Sequence, residues 1–164
     1  DEIRGVSLDC EYGQPSPYDV GFGVRRCDPN AAMADACWPT SGGDYMLCLQ
    51  DPFKPELAWF PATGGSSRLT QPDGPARPLG IELEDGTQCR ARLGGSWSTQ
   101  EQHPDYAGYF YCSTNMSNPD ALATWGSGDD GIRKGPDGWT VEVGGFTGGL
   151  TTHRVIKTYY VGTA

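Results

Sequence analysis

The residues best equipped for chemistry in this chain are its six cysteines: Cys10, Cys27, Cys37, Cys48, Cys89 and Cys112. Three roles are open to them: metal ligation, nucleophilic catalysis and covalent cross-linking. Structural zinc sites use close pairs of the C-x2-4-C kind, because one tight turn must aim two thiolates at one ion. No two cysteines here are that close. A catalytic cysteine is typically a lone thiol with histidine support, which six dispersed cysteines do not resemble. An even count at wide spacing suits three disulfides formed in an oxidising compartment. Cys89 and Cys112 lie in neighbouring strand-like segments and are expected to pair. The other four then make two bridges within the first third of the chain.

Other chemistry is sparse. The two histidines are His103, in the polar run Gln100-Glu101-Gln102-His103-Pro104-Asp105, and His153, at the head of a C-terminal strand. A serine hydrolase triad needs one of them beside a nucleophile on a sharp turn. No G-x-S-x-G elbow occurs, and nothing places the serine of Thr40-Ser41-Gly42-Gly43-Asp44 near a base. Glu82 and Glu84 are a carboxylate pair on one strand, pointing the same way, whereas glycoside cleavage needs acids on opposite walls of a cleft. The acidic, glycine-rich Gly126-Ser127-Gly128-Asp129-Asp130-Gly131 has hard-oxygen donors for calcium but lacks the EF-hand pattern, so a plain acidic turn is the simpler reading. No catalytic residue, metal ion or cofactor is expected.

The aromatic residues remain. Trp97 lies in a polar, glycine-flanked loop, and Tyr106, Tyr109 and Tyr111 follow it closely. Rings of this kind stack on ligands while their polar tips hydrogen-bond, so Trp97, Tyr106 and Tyr109 are the candidate binding residues, with core packing as the competing role. Asn115-Met116-Ser117 matches a glycosylation sequon, which has meaning only in a eukaryote.

What must position these groups is a turn-rich scaffold. The 164 residues include 24 Gly and 13 Pro, which disfavours long helices, while five Trp, eight Tyr and five Phe argue against disorder. The fold class expected is mostly β: one disulfide-stapled antiparallel sheet or sandwich-like domain with short helical turns. A single domain over 1–164 is expected, with a cysteine-rich subregion over residues 1–60 and a β core over 79–164, joined by the Gly/Pro/Ser-rich loop 61–78. The clearest local signal is the hairpin around Asp85-Gly86, with Ile81 and Leu83 alternating against Glu82 and Glu84, and the acids opposite Arg90 and Arg92. Tyr18 to Val24 alternates at period two and reads as a strand carrying Tyr18, Val20, Phe22 and Val24 on one face. Tyr106–Cys112, Trp139–Val143 and His153–Val161 read as further strands, the last with apolar residues on both faces and hence burial on both sides. Asp28-Pro29, Asp51-Pro52 and Asn118-Pro119 each place a capping side chain before a proline, predicting short helices, about two turns long after the first.

The formal charge of −9 would repel a polyanion, which excludes nucleic acid as a partner. No run approaches the roughly 18 to 20 apolar residues that span a bilayer, so no transmembrane segment is expected in the chain. With neither an initiating Met nor a basic-then-apolar start, the chain reads as a mature form whose export signal has been removed.

Trp139-Thr140-Val141, the ending HRVIKTYYVGTA and the spaced cysteines around D-G-T-x-C resemble small secreted proteins of actinobacteria, mycobacteria especially, most of which have no assigned activity. The resemblance covers about the last half of the chain and implies a secreted or periplasmic, cell-envelope location. The expectation is an exported, non-catalytic binding or accessory protein that engages a protein or glycan of the envelope. A small secreted hydrolase and a secreted disulfide-rich inhibitor or effector are the alternatives.

Overall fold

A computed structural model describes residues 5–93, 97–113 and 116–162. The sequon's Asn115 lies outside the described residues. The chain is nearly all β and divides into two compact units: residues up to Arg77 together with those from Tyr160 onward, and Pro78–Tyr159.

The first unit holds a four-stranded sheet of β1 (Leu8–Asp9), β2 (Cys37–Pro39), β3 (Tyr45–Cys48) and β4 (Ala58–Thr63), in the order β1-β4-β3-β2. β1 runs parallel to β4 and the other pairs are antiparallel. Strand alternation sorts the side chains. Cys37, Met46, Cys48 and Phe60 turn inward and are fully buried with Leu8, Cys10 and Cys27. Burying Phe60, Met46 or Leu8 contributes about 1.5–3 kcal/mol each. Two disulfides, Cys10–Cys27 and Cys37–Cys48, lie in this small core. Both join residues directly opposite in antiparallel register: Cys37 faces Cys48, and the Asp9–Asp28 bridge sets Cys10 against Cys27.

The expected strand over Tyr18–Val24 is instead a loop. Asp19 accepts the amide protons of Gly21 and Val24, curling the chain around its own carboxylate. Tyr18 and Val24 are consequently buried while Val20 and Phe22 are 66% and 54% exposed. The expected helices are also turns. After Asp28-Pro29 only a single 3-10 turn forms, over Asn30–Ala32, and Met33 then adopts a left-handed conformation that ends it. Asp51 and Asn118 accept the amides of Phe53 and Asp120 two residues on, closing local turns rather than opening helices. Loop 61–78 begins as the end of β4, and its middle is tied down by Ser67 Oγ donating to the Cys10 carbonyl and by Thr70 N donating to the Gly13 carbonyl.

The second unit is a closed antiparallel barrel. Its six strands are β5 (Gly80–Leu83), β6 (Gln88–Ala91), β7 (Ala107–Tyr111), β8 (Ala123–Gly126), β10 (Gly138–Gly144) and β11 (Thr151–Tyr159). They pair in the order β11-β5-β6-β7-β8-β10, and β10 pairs back to β11; a short β9 (Arg133–Gly135) makes a hairpin with β10. Closure removes the exposed edges that an open sheet would offer to other chains. Ile81, Leu83, Cys89, Ala91, Phe110, Val141 and Val143 are buried. Cys89–Cys112 joins β6 to the end of β7, one step beyond the Arg90–Tyr111 pair.

The β5–β6 hairpin turns at Asp85-Gly86, but over three residues, closed by Leu83 N donating to the Thr87 carbonyl. Gln88 therefore faces Glu82 and Gly80 faces Arg90, so the acids do not lie directly opposite the arginines as expected. β11 also departs from expectation. A bulge between Val155 and Lys157 shifts its register, and its residues are half-buried or exposed rather than covered on both sides.

Candidate functional site

The three candidate binding residues all belong to the barrel unit: Tyr109 lies in β7, Tyr106 immediately before it and Trp97 in a loop. Trp125 of β8 is opposite Gly108 of β7 and Glu142 of β10, on the side of the wall away from Phe110 and Val143. It is nevertheless 1% exposed, because Trp97 and Phe146 cover it at ring-centroid distances of 5.9 and 5.3 Å. Trp97 also rests against Gly108, where any side chain would collide with the indole, and the Arg92 guanidinium lies 4.2 Å from its ring. Burial lowers the Arg92 pKa from its ordinary value. Trp97 is thus engaged on several sides by its own unit. Tyr109 packs on Gly131 and donates its hydroxyl to the Gly128 carbonyl, holding the turn between β8 and β9.

Tyr106 is differently placed. Its ring stacks on His103 at 4.6 Å, nearly parallel, and its hydroxyl accepts from Arg133 at 3.1 Å. Arg133 in turn reaches Glu142 Oε2 at 3.5 Å. Tyr106, Arg133 and Glu142 frame a small open cleft floored by Trp125 and flanked by Gly126 and Gly131. Neither Arg133 nor Glu142 carries a local sequence signal, since both read as ordinary polar strand residues.

The outward side of the four-stranded sheet is the second notable surface. Trp59 stands opposite Leu47, which is opposite Trp38, and Tyr45 stands opposite Pro61. Residues directly opposite share a face, so these five line one side while the cysteine-bearing core lies on the other. Tyr45 and Trp59 are 37% and 38% exposed, their rings 4.7 Å apart, and Leu57 beside them is 44% exposed. The Trp38 indole N–H is bound to the Gly162 carbonyl at 3.1 Å. Sequence reasoning missed this face, although a signal existed: once Cys48 is assigned inward, alternation turns Leu47 and Tyr45 outward.

Residues considered for catalysis or metal binding have simpler partners. Thr40 and Tyr45 close the β2–β3 turn through the Thr40 hydroxyl and amide, both bonded to the Tyr45 carbonyl. His153 Nδ1 is 3.2 Å from Glu84 Oε1 and 3.8 Å from Asp85 Oδ2, and its Nε2 is 2.9 Å from Thr151 Oγ1. The Thr151 hydroxyl is also 3.4 Å from the Val143 carbonyl, its opposite number in the β10–β11 pair. Asp85 has its pKa lowered, first by the Thr87 amide hydrogen bond, then by the Thr87 hydroxyl and, more weakly, by His153. Asp130 accepts from the Ile132 amide and pairs with Lys134 Nζ at 2.8 Å, so this carboxylate is engaged within its own turn. Among the described residues no three His, Cys, Asp or Glu side chains gather to hold a metal ion, and no helix is long and apolar enough to cross a membrane.

Comparison with protein-family models, curated proteins and solved structures finds no match for this chain.

Proposed function

We propose that this chain is an exported, non-catalytic accessory protein of the cell envelope that docks on a protein partner through the outward face of its four-stranded sheet. The observation that carries this reading is the exposed Tyr45–Trp59 pair, with Leu57 beside it, on a sheet whose opposite side is fully packed. Exposed aromatics mixed with aliphatics are the composition of the anchor region of protein interfaces, where Trp and Tyr supply most of the affinity. Leu47 and Leu57 weigh against a sugar platform here, because aliphatic side chains offer neither a stacking plane nor a hydrogen bond. Three disulfides suit an oxidising, extracytoplasmic compartment.

The test is affinity capture from envelope extracts of the source organism, comparing the natural chain with Trp59→Ala/Tyr45→Ala and with Tyr106→Ala. A protein retained by the natural chain and by Tyr106→Ala, lost with the sheet-face variant and reconstituted with purified components supports the reading. Equal capture by all three, or concentration-dependent self-association abolished by the sheet-face variant, refutes it.

A further inference from the structure

Resting on the sheet-face reading above, we infer the chemistry of the partner: the face of Tyr45, Trp59 and Leu57 receives a cationic protein segment, one that sets arginine or lysine side chains among apolar ones. Three other rings of this chain carry a cation of their own. Arg92 lies 4.2 Å from the centre of the Trp97 ring, Lys134 4.9 Å from that of Trp139 and Lys157 4.9 Å from that of Tyr159. Among the described residues no Lys or Arg stands over Tyr45 or Trp59. The exposed parts of both rings are therefore open to a cation supplied from outside. A guanidinium suits them best, because it stacks flat on a ring as well as carrying charge.

Carboxylates border the pair. Asp44 precedes Tyr45 at the start of β3, and Glu56 precedes Leu57 just ahead of β4. Because β3 and β4 run antiparallel, with Tyr45 opposite Pro61 and Cys48 opposite Ala58, the two acids stand at opposite ends of the strand pair with the aromatics between them. Both residues are exposed, and neither carboxylate is held by a hydrogen bond or ion pair among the described residues. The base closest to Glu56 in sequence, Lys54, pairs with Asp51 at 3.8 Å. Across the described residues of the first unit nine acids face five bases, and one of the five, Arg25, is buried. Consecutive Cα atoms are about 3.8 Å apart, so each acid sits beside its apolar neighbour, inside the roughly 8 Å over which charge acts at physiological salt.

Ring faces and carboxylates together fit one kind of occupant. A second copy of the same face would set Asp44 and Glu56 against like charges, and an acidic protein surface meets the same repulsion. A wholly apolar partner would strip water from the two carboxylates and give nothing in return. A segment that mixes cations with aliphatic side chains satisfies every group. Its apolar side chains cover Leu47 and Leu57, one cation lies on the Tyr45 or Trp59 ring, and others meet Asp44 and Glu56 with charge-assisted bonds, which are the stronger kind.

The experiment is amide- and indole-shift NMR on the full chain, titrated with synthetic peptides of equal length. The probes are repeats of Leu-Leu-Arg-Arg, Leu-Leu-Gln-Gln and Leu-Leu-Glu-Glu, which in an extended chain show both residue types on each side. The arginine peptide should bind with shifts at Tyr45, Leu47 and Trp59, about tenfold or more tightly than the glutamine peptide, and the glutamate peptide should not bind. Added salt should weaken the arginine peptide several-fold. Asp44→Asn/Glu56→Gln should weaken it about threefold or more and flatten that salt dependence. No binding of the arginine peptide, equal binding of the glutamine peptide, shifts away from the sheet face, or an affinity unmoved by salt and by Asp44→Asn/Glu56→Gln overturns the inference. The docking reading is judged separately. A captured partner that is lost with Trp59→Ala/Tyr45→Ala, yet indifferent to salt and to Asp44→Asn/Glu56→Gln, leaves docking in place and removes only its cationic chemistry.

Discussion

Trp59 and Phe60 are consecutive residues of β4 with opposite environments: Phe60 is fully buried among cysteines and Met46, and Trp59 is 38% exposed beside Tyr45. The pair separates stability from binding within one strand. Phe60→Ala should cost about 3–5 kcal/mol by emptying the small core. Trp59→Ala should cost less than Phe60→Ala, because more than a third of Trp59 remains in water in the folded state. Guanidinium denaturation of both variants checks this. A Trp59→Ala loss as large as that of Phe60→Ala would mean that the indole is a packing residue.

The same strand shows what was readable in the sequence. The β class follows from glycine, proline and aromatic content, and the hairpin at Asp85-Gly86 follows from its dipeptide. Face assignment was harder. A cysteine in a disulfide fixes which side of a strand is inward, and Cys48 thereby makes Tyr45 an outward residue, but only if β3 is recognised as a strand. Two kinds of information were absent from the pattern. Asp19 looks like one polar residue in an alternating run, yet its carboxylate captures two amides and converts the run into a loop. Trp125 has the composition of a core residue and is buried, but on the outside of the barrel wall, beneath Trp97 and Phe146. Period-two reasoning assumes that one face is core and one is solvent. It cannot foresee Trp97 and Phe146 laid over the outer face.

The three disulfides close loops of 17, 11 and 23 residues, each between directly opposite positions. By loop-closure entropy each contributes about 3 kcal/mol, and the longest exceeds the shortest by roughly 0.6 kcal/mol. Replacing each pair by alanine should therefore lower the stability of the unit that carries it, Cys89/Cys112 most and Cys37/Cys48 least. Equilibrium denaturation of the three double variants gives the order. Losses below about 1 kcal/mol throughout would show that the strands hold without their cross-links.

Asp85 makes the acid stability of the barrel sensitive to one turn. Its folded pKa is depressed below the ordinary aspartate value of 3.8 by the Thr87 amide and hydroxyl, with a smaller contribution from His153. A carboxylate depressed in the folded state stabilises above its unfolded pKa, and that stabilisation fades as pH falls through the folded value. Asp85→Asn keeps an acceptor for the Thr87 amide and removes the charge. The variant should be less stable than the natural chain at neutral pH, and the two should converge as pH falls through the ordinary aspartate value of 3.8 and below it. Melting curves across that range measure it. A constant offset at all pH values would show that the Asp85 charge does not couple to folding.

Gly108 controls the aromatic layer on the barrel wall. It pairs with Trp125 across β7 and β8, and the open space where its side chain would stand is filled by the six-membered ring of Trp97. Gly108→Ala therefore sets a methyl group into an occupied volume. Backbone adjustment is limited, since β7 is hydrogen-bonded on both sides, so the indole must yield. Displacing Trp97 uncovers one side of Trp125 and removes the ring beneath the Arg92 guanidinium. Overpacking of this kind costs about 1–3 kcal/mol. Tryptophan emission should shift to the red and quench more readily with acrylamide, while the interior of the barrel, where Phe110 and Val143 pack on the other side of the wall, keeps its strand signal in circular dichroism. An unshifted emission spectrum in Gly108→Ala would mean that Trp97 does not rest on this glycine.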